Sequence, residues 1–135
     1  MSASPVFLDT SALLALVHAD DAHHADVVRV FKALAAAGTP LVTHSYVLVE
    51  TGALVRRRFG SDVFRRIGEV VRNSATVVWV DERIHAAAWG LAEAGGRNAP
   101  GLVDQVSFLV MKDMGLVTAV AVDRHFAQQG FRTLP

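Results

Sequence analysis

Hydrophobic positions along this chain fall into two alternating periods. Short runs rich in strand formers are Val6-Phe7-Leu8, Leu41-Val42-Thr43, Thr76-Val77-Val78-Trp79-Val80 and residues 117–122. Runs of three to six such residues bounded by turn signals predict strands. Between them the apolar spacing changes to that of helices. A short helix is expected after Asp9, and a longer one over residues 22–37, with Val27, Val28, Phe31, Leu34 and Ala35 on one side and Gly38 and Pro40 as its stop. Ser45 is expected to cap a helix over 46–59 that ends at Gly60. Ser61 or Asp62 then opens another, with Val63, Phe64, Ile67, Val70 and Val71 as its buried stripe. Asp81 should cap a helix through Ala94, closed by Gly95-Gly96, and the helix over 103–114 is apolar nearly all round, which predicts burial. Asp123 should begin one or two helical turns, and Gly130-Phe131-Arg132-Thr133 reads as a final edge strand. Strands alternating with helices predict an α/β fold. Its sheet, twisted and mostly parallel, should have four to five strands and helices on both faces.

Against this pattern four acids stand out. Asp9 and Asp123 each end an apolar strand and precede a helix, a position where an Asp also serves as a cap. Asp9-Thr10-Ser11 offers three capping residues for a single helix. Asp104 opens the buried helix, where a cap or a dipole contact would explain it. Glu50 lies in the middle of a helix, three or four residues from Tyr46, Val47 and Leu54, so it is expected on the apolar stripe, and no cap explains it. If the strands are parallel, Asp9 and Asp123 share one sheet edge. Clustered carboxylates repel and retain protons unless a cation lies among them. Mg²⁺ or Mn²⁺, hard ions that keep water and accept phosphate oxygens, suit such a site, and the chemistry they support is phosphoryl transfer.

Composition narrows the classes. The chain has 135 residues and is expected to form a single domain over 1–135. Thirteen basic residues balance thirteen acidic ones, so any nucleic-acid surface must be local. Cysteine is absent, which excludes disulfides, thiol nucleophiles and Cys-ligated zinc and fits the cytoplasm. Met1-Ser2-Ala3-Ser4-Pro5 has no basic segment and Asp9 interrupts the apolar run, so neither a signal peptide nor a membrane span is expected.

Four segments carry a resemblance: Val6-Phe7-Leu8-Asp9-Thr10-Ser11-Ala12-Leu13, Val47-Leu48-Val49-Glu50-Thr51, Leu102-Val103-Asp104-Gln105-Val106-Ser107-Phe108 and Ala121-Val122-Asp123-Arg124-His125-Phe126. In this order and spacing they resemble the four acidic motifs of the PIN domain, and more closely those of the VapC-type ribonuclease toxins of bacterial toxin–antitoxin pairs. The resemblance implies a PIN-like three-layer α/β/α fold and a Mg²⁺- or Mn²⁺-dependent endoribonuclease. Asp9, Glu50, Asp104 and Asp123 would form its acidic quartet, with Asp9 and Asp104 the most direct ligands. Ser11 and Ser107 would orient carboxylates or water. It also implies a homodimer and a small antitoxin partner. Where relatives often place a hydroxyl residue just before the last acid, this chain has Val122.

Six of the thirteen basic residues, Arg56, Arg57, Arg58, Arg65, Arg66 and Arg72, fall within seventeen positions. They form either a solvated face with pairs such as Asp62–Arg66 and Arg65–Glu69, or an RNA phosphate track. Arg56, Arg57 and Arg124 are the candidate substrate contacts. His44 and His125 flank acids and could touch substrate, whereas His23-His24 reads as an exposed helix start, and Trp79 and Trp89 as core or dimer surface. Phosphoaspartyl chemistry would want an acid two residues after Asp9, where Ser11 stands. An alternative of another class is a catalytically inactive PIN-like module that binds RNA or a protein.

Overall fold

The structure is a computed structural model and describes residues 4–135; Met1, Ser2 and Ala3 of the N-terminal reading lie outside them. Its strands are β1 (Val6–Leu8), β2 (Leu41–His44), β3 (Ala75–Val78), β4 (Thr118–Val120) and β5 (Arg132–Leu134). They form one sheet in the order β3-β2-β1-β4-β5, parallel throughout. The helices are α1 (Thr10–Val17), α2 (His24–Ala36), α3 (Ser45–Phe59), α4 (Ser61–Ser74), α5 (Glu82–Ala94), α6 (Leu102–Met114) and α7 (His125–Gln128). They flank the sheet in the α/β/α manner expected. No helix among the described residues is long and apolar enough to cross a membrane.

The order has one consequence for function. From β1 the chain runs outward to β2 and β3, then returns to the other side of β1 for β4 and β5. The crevice at the carboxyl ends of β1 and β4 is therefore the topological switch point, where open α/β sheets bind ligands. β1 is the central strand, with β2 on one side and β4 on the other. Phe7, Leu8, Ala119 and Val120 are buried on both faces, as parallel strands under two helical layers must be.

The core radiates from Phe7, which stacks on His44 and on Phe126. Phe126 also meets Phe108 edge-on. Burying a Phe side chain contributes about 1.5–3 kcal/mol. That anchor holds α7, which at four residues is too short to persist on its own hydrogen bonds. A second cluster, Ile84 and Ala88 against Val106 and Val110, fixes α5 on α6. As expected, the middle of α6 is buried, while its last turn, from Lys112, reaches solvent.

Candidate active site

β1 delivers Asp9 to the switch point. The residue is 2% exposed and caps α1, with Oδ2 accepting from the Ser11 N–H at 3.2 Å. The same oxygen accepts the Ser11 hydroxyl at 2.6 Å, and that hydroxyl in turn accepts the Val122 N–H at 3.1 Å. Ser11 thus laces the end of β1 to the segment leaving β4. Of Asp9-Thr10-Ser11, Asp9 supplies the cap of α1, and the Ser11 hydroxyl ties that acid to the chain beyond β4. Val122 joins the network through its backbone, so its apolar side chain breaks nothing.

Asp104 is not a cap. α6 begins at Leu102 behind Gly101, which places Asp104 third in the helix with its side chain free to reach outward. Its Oδ2 lies 3.0 Å from His125 Nδ1, and the His125 backbone N–H donates to Asp123 Oδ1 at 2.8 Å. His125 therefore grips two acids from two elements. Each of Asp104, Asp123 and His125 offers a ligand atom within 4.8 Å of the others'. His125, expected at most to touch substrate, belongs to the carboxylate cluster itself.

Four placements differ from expectation. Glu50 is half-buried: the buried stripe of α3 runs through Val47, Thr51 and Val55, and Glu50 lies on its shoulder. The spacing misled because Tyr46 and Leu54, its apolar neighbours, are themselves only partly covered. Glu50 is still close enough to raise the Asp104 pKa, and no Arg or Lys pairs with it among the described residues. Ser107 does not orient an acid. It is fully buried, donates to the Val103 carbonyl at 3.0 Å and lies 2.8 Å from His44 Nε2. His44, also fully buried, cannot touch substrate. Instead its Nδ1 caps α3, accepting from Tyr46 and Val47 N–H at 3.2 Å each, in place of Ser45. Ser45 Oγ accepts the Val80 N–H instead. An acceptor side chain immediately before a helix was the available signal for His44.

The electrostatics follow from crowding. Burial pushes Asp9 up from the ordinary 3.8 to about 7, Ser11 opposes the rise, and Asp104 and Asp123 add to it. Asp104 is raised by burial, then by Asp123 and less by Glu50, with His125 pulling the other way. Several carboxylates that hinder one another's ionisation, with one imidazole among them, are the donor set that a hard divalent cation relieves. The residues present fit such an ion.

The basic candidates separate. Arg57 lies seven residues beyond Glu50, hence on the same face of α3 and about 10 Å along it. Arg56 is turned away and lines an apolar groove of about 660 Å³ between α3, α4 and β3 with Phe64, Arg72 and Trp79. Arg124 is exposed beside Asp123. The expected helix pairs are replaced by Asp62–Arg65 at 3.1 Å. His24 is tied by its ring to the Ala15 carbonyl. Trp79 and Trp89 are 75% and 49% exposed, so neither is core.

Comparison with known proteins agrees with this geometry. The PIN domain family model matches residues 6–132. The chain is 33% identical over 132 residues to the 23S rRNA-specific endonuclease VapC20 of two Mycobacterium tuberculosis strains, CDC 1551 / Oshkosh and ATCC 25618 / H37Rv. The match covers 93% of this chain and 95% of each relative. The crystal structure of M. tuberculosis VapC20, described as a sarcin–ricin loop cleaving toxin, superposes with a TM-score of 0.80 at 32% identity, over 93% of this chain and 95% of that one.

Proposed function

This chain belongs to the PIN-domain family, with VapC as its near relative, and on that premise we propose that it is a Mg²⁺- or Mn²⁺-dependent endoribonuclease, the toxin of a toxin–antitoxin pair. The observation that carries the reading is the meeting of Asp9, Asp104 and Asp123, from three elements, at the β1–β4 switch point, where burial with Asp104 and Asp123 raises the Asp9 pKa and burial with Asp123 raises that of Asp104. Capping accounts for Asp9 and Asp123 in part but not for Asp104. In this proposal Asp9, Glu50, Asp104 and Asp123 are the catalytic acids, within one domain over 1–135 that works in the cytoplasm as a homodimer with a small antitoxin as partner.

Asp104, Asp123 and His125 would hold the cation, with Asp9 behind them and Glu50 at the rim. A cation bound there supplies an activated water and neutralises charge on the phosphate. The remaining work belongs to the chain. Ser11 keeps Asp9 Oδ2 fixed whichever way its proton equilibrium lies, and His125 sets the Asp104–Asp123 spacing. Arg57 and Arg124 offer exposed guanidiniums on either side of the acids, where a bent RNA backbone would lay its phosphates. Asp9, with a pKa near neutrality, should release a proton as the cation enters.

The specificity of the M. tuberculosis relatives makes a sarcin–ricin loop RNA the first substrate to try. With Mn²⁺ present the wild type should cut it at defined positions. Asp104→Asn should slow cleavage roughly a thousandfold, the equivalent of losing several kcal/mol of charge stabilisation. Calorimetry should show Mn²⁺ binding weakened in the same variant. Equal Mn²⁺ affinity in the two proteins would remove Asp104 from the site, and an inert wild type would favour a non-cutting RNA- or protein-binding module.

A further inference from the structure

We propose that the buried His44–Ser107 hydrogen bond positions the candidate site, fixing α3 against α6 and thereby the separation of the Glu50 and Asp104 carboxylates. The proposal rests on the nuclease reading above.

The direction of every hydrogen bond in the strut is forced. Tyr46 and Val47 N–H groups can only donate, and both donate to His44 Nδ1. That nitrogen therefore carries no proton, and the neutral ring has its proton on Nε2. Nε2–H donates to Ser107 Oγ at 2.8 Å, and the Ser107 hydroxyl donates to the Val103 carbonyl at 3.0 Å. The chain is fully satisfied and contains no freedom to rearrange without stranding a buried donor. Phe7 stacks on the ring at 5.6 Å. One side chain thus touches β1, which leads to Asp9, opens α3, which carries Glu50 as its sixth residue, and reaches α6, which carries Asp104 as its third. Ser107 lies one turn below Asp104 on the same helix.

A cap alone does not call for this residue. Ser, Asp or Asn would cap α3 as well, with less bulk and less to desolvate. What imidazole adds is length, and the added length is what meets Ser107. α3 and α6 are remote in sequence, yet an acid from each must be held within a fraction of an ångström for a shared cation. A strut that ends one turn from Asp104 on α6 and less than two turns from Glu50 on α3 is well placed to do this.

The test uses Ser107→Ala, which removes one oxygen at a helical position, and His44→Asn, which keeps an α3 cap but is too short to reach α6. Mn²⁺ affinity is read by calorimetry, and kcat and KM for sarcin–ricin loop RNA are read at saturating Mn²⁺, well below the melting temperature. Each variant should bind Mn²⁺ about tenfold more weakly, as losing a partner of a ligand-bearing group does, and should lose kcat with KM little changed. Ser107→Thr, which keeps the hydroxyl, should restore both. In a Glu50→Gln background, Ser107→Ala should cost little further Mn²⁺ affinity. If the variants bind Mn²⁺ and turn over like wild type and lose only melting temperature, the strut is a cap and a packing contact, and the proposal falls. If Ser107→Ala does not fold, His44→Asn decides on the same readouts. A wild type that neither binds Mn²⁺ nor cuts RNA would sink the functional reading itself, a distinct result.

Discussion

The carboxyl edge of β1 and β4 and the arginine face of α3 and α4 are the two densest collections of charge in this chain, and they treat charge in opposite ways. At the carboxyl edge acids from four elements are drawn together, Asp9 fully out of water and Glu50, Asp104 and Asp123 partly so. Asp9 is so poorly hydrated and so crowded that half of it would be protonated near neutrality. On the arginine face Arg56, Arg57, Arg58, Arg65, Arg66 and Arg72 all stand in solvent, and the one ion pair among them is itself exposed. Exposed charges at such spacing are screened within about 10 Å at ordinary ionic strength and contribute little to stability. Buried like charges are not screened, and the fold retains free energy that a cation can release. Charge density therefore does not mark the candidate site. Burial of like charge does.

The comparison breaks first if Glu50 proves to be an ordinary structural anion. Glu50→Gln keeps shape and helix propensity, so it should lower RNA cleavage about a hundredfold through the disturbed ligand shell. Without metal the variant should melt at the wild-type temperature or above, and Mn²⁺ should stabilise it less than wild type. A destabilised variant with full activity would move Glu50 out of the site.

The pH dependence of stability without metal sharpens the contrast. Asp9 is raised from 3.8 to about 7, so the fold favours its protonated form. Its contribution is present below about pH 4 and is lost as pH rises through about 7. His44 is lowered by burial from 6.5 to about 4, and its contribution has the reverse sign: present above 6.5, lost as pH falls to about 4. The two slopes oppose each other over the same window. Asp9→Asn removes one of them, so urea unfolding in EDTA should show the variant losing stability more steeply than wild type between about pH 7 and pH 4. A pH profile identical to wild type would mean that Asp9 is not crowded as the geometry indicates.

The smallest effect is expected on the arginine face. Arg57→Ala should flatten the salt dependence of RNA binding by about one released counterion, because Arg57 shares the Glu50 face. Arg56→Ala, in the apolar groove, should leave the slope unchanged. Equal losses from both would extend the RNA track around the helix and undo the separation drawn between them.

Asp81, Asp9 and the glycine stops could be placed from the sequence because capping and helix termination depend on residues only a few positions apart. The strands β1 and β2 and the start of α4 were legible for the same reason, as local periodicity reports a local fold. The four acids were nameable too, each from its own motif. What the sequence could not supply was how these pieces meet. Whether Asp104 capped or reached outward depended on α6 starting two residues before it, at Leu102. The grip of His125 on Asp104, the lacing of Asp9 through Ser11 to Val122, and the diversion of Ser107 from the acids to His44 each join residues 21, 111 or 63 positions apart on one side of the bond. Spacing along a chain carries no information about such pairs. They are set by the order of strands in the sheet and by which buried polar group can satisfy which, and only the packed structure decides that.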